Sequence, residues 1–231
     1  MKKLLVATTV AMTLSAAAHA ADGTAVLKLT GTLSNQPCTP TLSGGGTVDF
    51  GTKHLDELSA TATNQLGSKD LTLSIACTAP TKMGWTIADD RADTRAKVTI
   101  EGGWTQDDVV FSSSTSMQFG AGKTAGGVNI GAYSVSLSNT ASIADGVAKP
   151  ITMGTGSDAT TDWTAFSVGY DFVKGTNDIT YTVSDDGTAP IAFTDAVFPL
   201  RISLAVEKTD TLAITEETPI DGQATITMVY L

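Results

Sequence analysis

Apolar and polar residues alternate with a period of two along most of this chain, the spacing that puts one row of side chains on each face of a β-strand. In the first such run Ala25, Leu27, Leu29 and Leu33 share a face with Gly31, while Lys28, Thr30 and Thr32 fall opposite. Leu71, Leu73 and Ile75 repeat the pattern up to Cys77, so a strand is expected to close on each of the two cysteines, Cys38 and Cys77. Trp85 and Ile87 alternate around Thr86, and Val98 and Ile100 around Thr99. Two longer rows, Phe166, Val168, Tyr170, Phe172 and Leu200, Ile202, Leu204, Val206, are expected to line a core. The chain closes on Ala224, Ile226, Met228 and Tyr230 alternating with Thr225, Thr227 and Val229, so it ends inside a strand.

Between these runs stand Asp89-Asp90, Gly102-Gly103, Gly126-Gly127, Asp145-Gly146 and Asp185-Asp186-Gly187, the acceptors and positive-φ residues that tight turns need. Many short strands at such spacing predict an all-β fold of antiparallel strands, a sandwich or a barrel. From about Ser112 to Asp162 the periodicity weakens apart from Val128, Ile130, Tyr133, Val135 and Leu137. That stretch, 112–162, reads equally as one or two hairpins with long loops or as an insertion carrying a specific function.

The ends alter the count of mature residues. Met1-Lys2-Lys3, the apolar run Leu4 to Ala18 and the triplet Ala18-His19-Ala20 form a secretory signal peptide, 1–20, with cleavage expected after Ala20. The run is shorter than the roughly 20 residues a spanning helix needs, and no later segment reaches that length, so no transmembrane segment is expected. The product, 21–231, is expected to be one exported domain. Losing Lys2 and Lys3 takes the net charge from −10 to −12, which disfavours nucleic acid and anionic lipid as partners. In an exported chain the pair Cys38 and Cys77 is expected to form one disulfide.

Candidate chemistry is sparse. His54, the histidine left after the leader, matches no nucleophile motif, and no GxSxG, HExxH or P-loop is present, so neither an enzyme nor a cofactor is expected. Asp89-Asp90, Asp107-Asp108 and Asp185-Asp186 fit turns better than acid/base pairs. Trp85 is expected in the core. Trp104 and Trp163 lie near turns and are the candidates for stacking on a carbohydrate.

Gly31-Thr32-Leu33 leading to Cys38, then Val48-Asp49-Phe50-Gly51, then Leu71 to Cys77, resembles the N-terminal half of a chaperone–usher fimbrial subunit, or pilin. The closing Ala224 to Leu231, with its penultimate Tyr230, is similar to the terminal strand of that family, and the nearest match is to fimbria-like periplasmic proteins of proteobacteria whose function is open. The resemblance implies an immunoglobulin-like sandwich lacking its last strand, with a hydrophobic groove that a partner must fill. In the family a periplasmic chaperone lends a strand, and a neighbouring fimbrial subunit's extension later replaces it. By position, Leu27, Leu29 and Leu33 would form one wall, Ala224, Ile226, Met228 and Tyr230 the other, and the Leu231 carboxylate would anchor in the chaperone. The implied role is a non-enzymatic fimbrial or fimbria-like subunit, first periplasmic and then at the cell surface, contributing to adhesion. With Ala25 to Leu33 as the first domain strand, only Ala21 to Thr24 precede it, too few to enter a neighbour; such a subunit accepts a strand and does not donate one. The same residues also fit a self-complete periplasmic or secreted sandwich that binds a carbohydrate or another envelope ligand.

Overall fold

The longest element, Asn64–Asp89, shows how alternation builds this molecule. Leu73, Ile75 and Cys77 near its middle and Met83, Trp85 and Ile87 near its end share one parity, and all are buried. The same row therefore faces the core on both stretches, Leu73 to Cys77 and Met83 to Ile87, even though the strand passes from one sheet to another between them. The computed structural model describes residues 27–31, 37–104, 109–155, 160–166 and 172–231. Residues 1–20, expected to be a signal peptide, and much of the row from Phe166 to Phe172 lie outside them.

The strands are β1 (Cys38–Leu42), β2 (Asn64–Asp89), β3 (Ile100–Glu101), β4 (Val109–Val110), β5 (Phe119–Gly120), β6 (Gly131–Leu137), β7 (Ile143–Ala144), β8 (Val147–Ala148), β9 (Ile151–Thr155), β10 (Thr161–Ala165), β11 (Thr180–Val183), β12 (Ala192–Val206) and β13 (Ala224–Tyr230). One sheet runs β1, the first part of β2, β12, β6, β5, with β7 on β12 and β8 on β7. The other runs β13, the last part of β2, β11, β9, β10. Every one of these ladders is antiparallel. The main core joins both sheets: Trp85 packs on Tyr181 at 5.1 Å between ring centroids and on Phe198 at 5.8 Å. This is an all-β antiparallel sandwich.

Residues 112–162 supply β5 to β9 and enter β10, so they are woven into both sheets. Cys38 opens β1 and Cys77 lies inside β2, not at a strand end, and the two are paired in register across the β1/β2 ladder. They form a disulfide with Cα atoms 4.0 Å apart. The row opposite the core on β12 also departs from expectation: Ser203 and Ala205 are fully buried. A second small cluster containing Val98, Ile100 and Val110 packs over Ala205.

Residues Asn35–Leu231 form one unit, and Met1–Ser34 another. Of the second only 27–31 is described: it is in no strand, and Leu27 and Leu29 are 94% and 97% exposed. Among the described residues no helix is long and apolar enough to cross a membrane.

Candidate functional site

β1 and β13 are the edges of the two sheets on the same side of the sandwich, and among the described residues each pairs only with β2. The outward N–H and C=O groups of such strands are available to another strand. At one end the edges are tied by the Cys38 amide, which donates to the Tyr230 hydroxyl at 3.2 Å; beside it the Leu231 amide continues the β13/β2 ladder by donating to the Lys82 carbonyl at 3.1 Å. From that closed end β1 runs outward, whereas β13 runs inward, and a trough lies between the residues that follow β1 and the first half of β13.

The trough has two compartments. The narrower, about 270 Å³, has Leu42, Val48 and Phe50 on one side, Ala224 and Ile226 on the other, and Leu200, Ile202 and Tyr133 beneath. The wider, about 680 Å³, lies between 48–58 and 214–220 and continues the first through Val48, Phe50 and Ile220. Leu42, Val48, Phe50, Leu71, Ala224, Ile226 and Met228 pack against the main core but remain only half-buried. A row of large apolar side chains is thus covered from below and open above, which is costly for a surface that water alone would cover.

Local chemistry explains the first wall. The Asp49 carboxylate accepts a hydrogen bond from the Gly51 amide at 2.7 Å, and Gly51 takes a positive φ of 68°. That turn holds Val48 and Phe50 against the trough, which gives the hydrophobic-x-aromatic-Gly motif a physical role. On the second wall the start of β13 is anchored by Arg91, which pairs with Asp221 at 3.1 Å, and by Thr225, whose hydroxyl donates to Asp90 at 2.8 Å. Gly222 stands just before β13, where a Cβ would come within 2.7 Å of the Tyr133 ring. Burial, reinforced by Asp89 and Asp90, pushes the Tyr133 phenol well above its ordinary pKa, so this floor residue stays neutral. The rim is acidic, with Asp49, Glu216 and Glu217 against Lys53, and His54 stands exposed beside them.

The predicted site residues divide accordingly. Ala224 and Ile226 line the trough, Met228 packs against the core beside them, and Tyr230 closes its end. Leu231, 37% exposed, follows at that closed end. Leu27 and Leu29 lie in the separate segment already described, and Leu33 falls outside the described residues. The wall assigned to those leucines is formed here by Leu42, Val48 and Phe50. Their signal was present in the Val48 to Gly51 motif.

The tryptophans and carboxylates have other neighbours. The Arg201 guanidinium sits 4.2 Å over the Trp104 ring, taking one of its faces, while also holding Asp70 at 2.7 Å. Trp163 is half-buried in β10 and donates its indole N–H to the Thr160 carbonyl at 3.0 Å. Asp89 accepts from the amides of Arg91 and Gly120 at 2.9 and 3.1 Å and faces Arg95 at 3.3 Å. Asp186 accepts from the Thr188 amide at 2.9 Å, a turn contact. Asp107-Asp108 lies outside the described residues.

A family model described as "Protein of unknown function (DUF1120)" matches residues 27–134. The chain is similar to the "Uncharacterized protein YhcF" of Escherichia coli (strain K12), 32% identical over 99% of this chain and 98% of that protein. It is similar also to "Protein GltF" of the same organism, 33% identical over 100% of this chain and 99% of that protein.

Proposed function

We propose that this chain, which belongs to the DUF1120 family of proteins of unknown function, is a non-enzymatic fimbria-like subunit that works by accepting an extended strand from another polypeptide. The chain is exported, crosses the periplasm with a chaperone lending that strand, and joins neighbouring subunits at the cell surface, where the assembly serves adhesion. The single observation supporting this reading is the trough between β1 and β13. Two sheet edges without a second neighbour among the described residues border half-buried apolar side chains on a shared core.

An inserted strand would bond to the edge backbones and place alternate side chains in the compartments, the ordinary physics of strand addition. Burial of each large apolar side chain adds roughly 1.5–3 kcal/mol before the cost of ordering is counted. The reading as a carbohydrate-binding sandwich has less support, since Arg201 occupies one face of Trp104 and Trp163 is half-buried.

The test is a thermal melt of the protein purified from the periplasm, with and without synthetic peptides of alternating Thr and Val. A melting temperature that rises with peptide concentration, and does not rise in an Ile226→Asp variant that still folds, is the expected result. A monodisperse monomer indifferent to every such peptide would remove the basis for strand acceptance.

A further inference from the structure

We infer that the wider compartment is a binding site in its own right, for a small amphipathic cation: a compound with an apolar body and one ammonium group. The inference goes beyond strand acceptance and does not depend on it. Its floor is built apart from that of the narrow compartment. Ile130 stands just before β6, Val206 ends β12, Leu66 lies near the start of β2, and Leu212 comes from the helical turn Thr209–Leu212. These residues meet in a cluster that shares only Phe50 and Tyr133 with the main core among the described residues. Around that floor the apolar lining lacks cover: Leu58, Leu66 and Ile214 are half-buried, and Leu55 and Ile220 are 38% and 42% exposed. A space of about 680 Å³ over such a surface falls within the roughly 300–1,000 Å³ of small-molecule sites.

Both walls are fixed at their ends. The buried Asn64 side chain accepts from the Ser59 amide at 2.6 Å and donates to the carbonyls of Ser59 and Glu207 at 3.2 and 3.3 Å. The Thr209 amide donates to the same Ser59 carbonyl at 3.1 Å, so the end of the first wall is joined to the chain leading into the second. Past the second wall the Asp221 amide donates to the Ala121 carbonyl at 3.0 Å. A site held this way is formed before its ligand arrives, which lowers the ordering cost of binding. Two features choose the occupant. Neither wall is a strand: 48–58 contains only the 3-10 turn Leu55–Glu57, 214–220 has no regular element, and Pro219 has no N–H. An incoming strand draws its affinity from a backbone ladder, so walls without one suit a compact ligand. Charge then sets the head group. Asp49, Glu216 and Glu217 line the compartment with Lys53, and none of the four is in an ion pair among the described residues. That excess of carboxylates attracts a cation and repels fatty acids and phosphates. Exposed charges contribute little affinity, so the apolar body supplies most of the binding and the carboxylates select the head.

The experiment titrates the full chain with octylamine, octanoate and octanol, one tail with three heads, by calorimetry and by amide NMR shifts. Octylamine should saturate one site, shift residues of 48–58 and 214–220, and lose up to about fourfold in affinity for each methylene removed from its tail. Octanoate should bind more weakly by roughly three- to thirtyfold, with octanol between them. Glu216→Lys/Glu217→Lys changes two exposed positions and should reverse that order without moving the melting temperature. Equal binding of the amine and the acid, or an order that the charge reversal leaves alone, would overturn the choice of a cation. Binding without saturation, or shifts that fall elsewhere, would overturn the site. The Ile226→Asp variant should take octylamine as the parent does, so a failure of strand acceptance leaves this inference standing. Loss of octylamine binding in that variant would overturn the claim that the compartment acts on its own.

Discussion

Replacing Cys38 and Cys77 together by serine should damage this protein in two separable ways. The disulfide closes a loop with a sequence separation of 39, and restoring that freedom to the unfolded chain costs about 4 kcal/mol in the chain-entropy model. For a chain of this size each kcal/mol lowers the melting temperature by about 2–4 °C, so a fall of roughly 8–16 °C is expected. The second effect is local. β1 has five residues, pairs only with β2 among the described residues, and exposes Thr39, Pro40 and Thr41. Without the covalent tie its ladder should open well before the rest of the sandwich, taking Leu42 from the trough wall. The assays are a urea or thermal melt for the first effect and amide hydrogen exchange of Thr39 and Thr41 for the second. A double-serine variant that melts within about 3 °C of the parent and keeps β1 protected would refute both the stability estimate and the role given to the bridge.

Two carboxylates should respond to pH in opposite senses. The Arg201 hydrogen bond holds Asp70 below its ordinary pKa, so its contribution is present above about pH 4 and disappears as pH falls through the lowered value. Burial instead raises Asp89, whose charged form is disfavoured in the fold. In urea titrations, Asp70→Asn should therefore cost more as pH rises toward about 4, by less than about 1 kcal/mol for so exposed a pair. The cost of Asp89→Asn should shrink as pH rises beyond about 4; parallel curves would refute the assignment. At Gly131 a Cβ would lie 2.2 Å from the Ala205 carbonyl and 2.8 Å from the Val206 Cα, both backbone atoms of β12. Gly131→Ala should lose about 1–3 kcal/mol in a chemical melt, and an unchanged midpoint would show that the β6/β12 ladder gives way freely.

The elements most legible in the sequence are those decided by neighbours along the chain. Alternation placed Leu73, Ile75, Trp85 and Ile87 in the core, because strand geometry alone sends every second side chain to one face. An even pair of cysteines, in a chain expected to be exported, made the Cys38 and Cys77 pairing readable, and Ala224 to Tyr230 stood out as a closing strand. Other features have no local signal. The run through Cys77 and Pro80 looks like two strands, but β2 continues through both, because β12 on one side and β13 and β11 beyond hold it extended in two sheets. Ser203 and Ala205 have the appearance of an outer row, but the cluster around Ile100 and Val110 covers Ala205, while Ser203 bonds to Ser68 and the Gly102 carbonyl.

The alternating residues 25–33 and 224–230 look alike as sequence, and each by itself specifies only a strand with one apolar face. What differs between them is the partner: β13 lies along Met83 to Asp89, whereas the described part of the first segment pairs with nothing described. The trough likewise joins residues around 42–58 to residues around 214–226, stretches far apart along the chain that meet only through the two sheets. Alternation determines which face of a strand is apolar; which surface that face meets is decided by long-range pairing, because backbone hydrogen bonds and burial depend on where the rest of the chain lies.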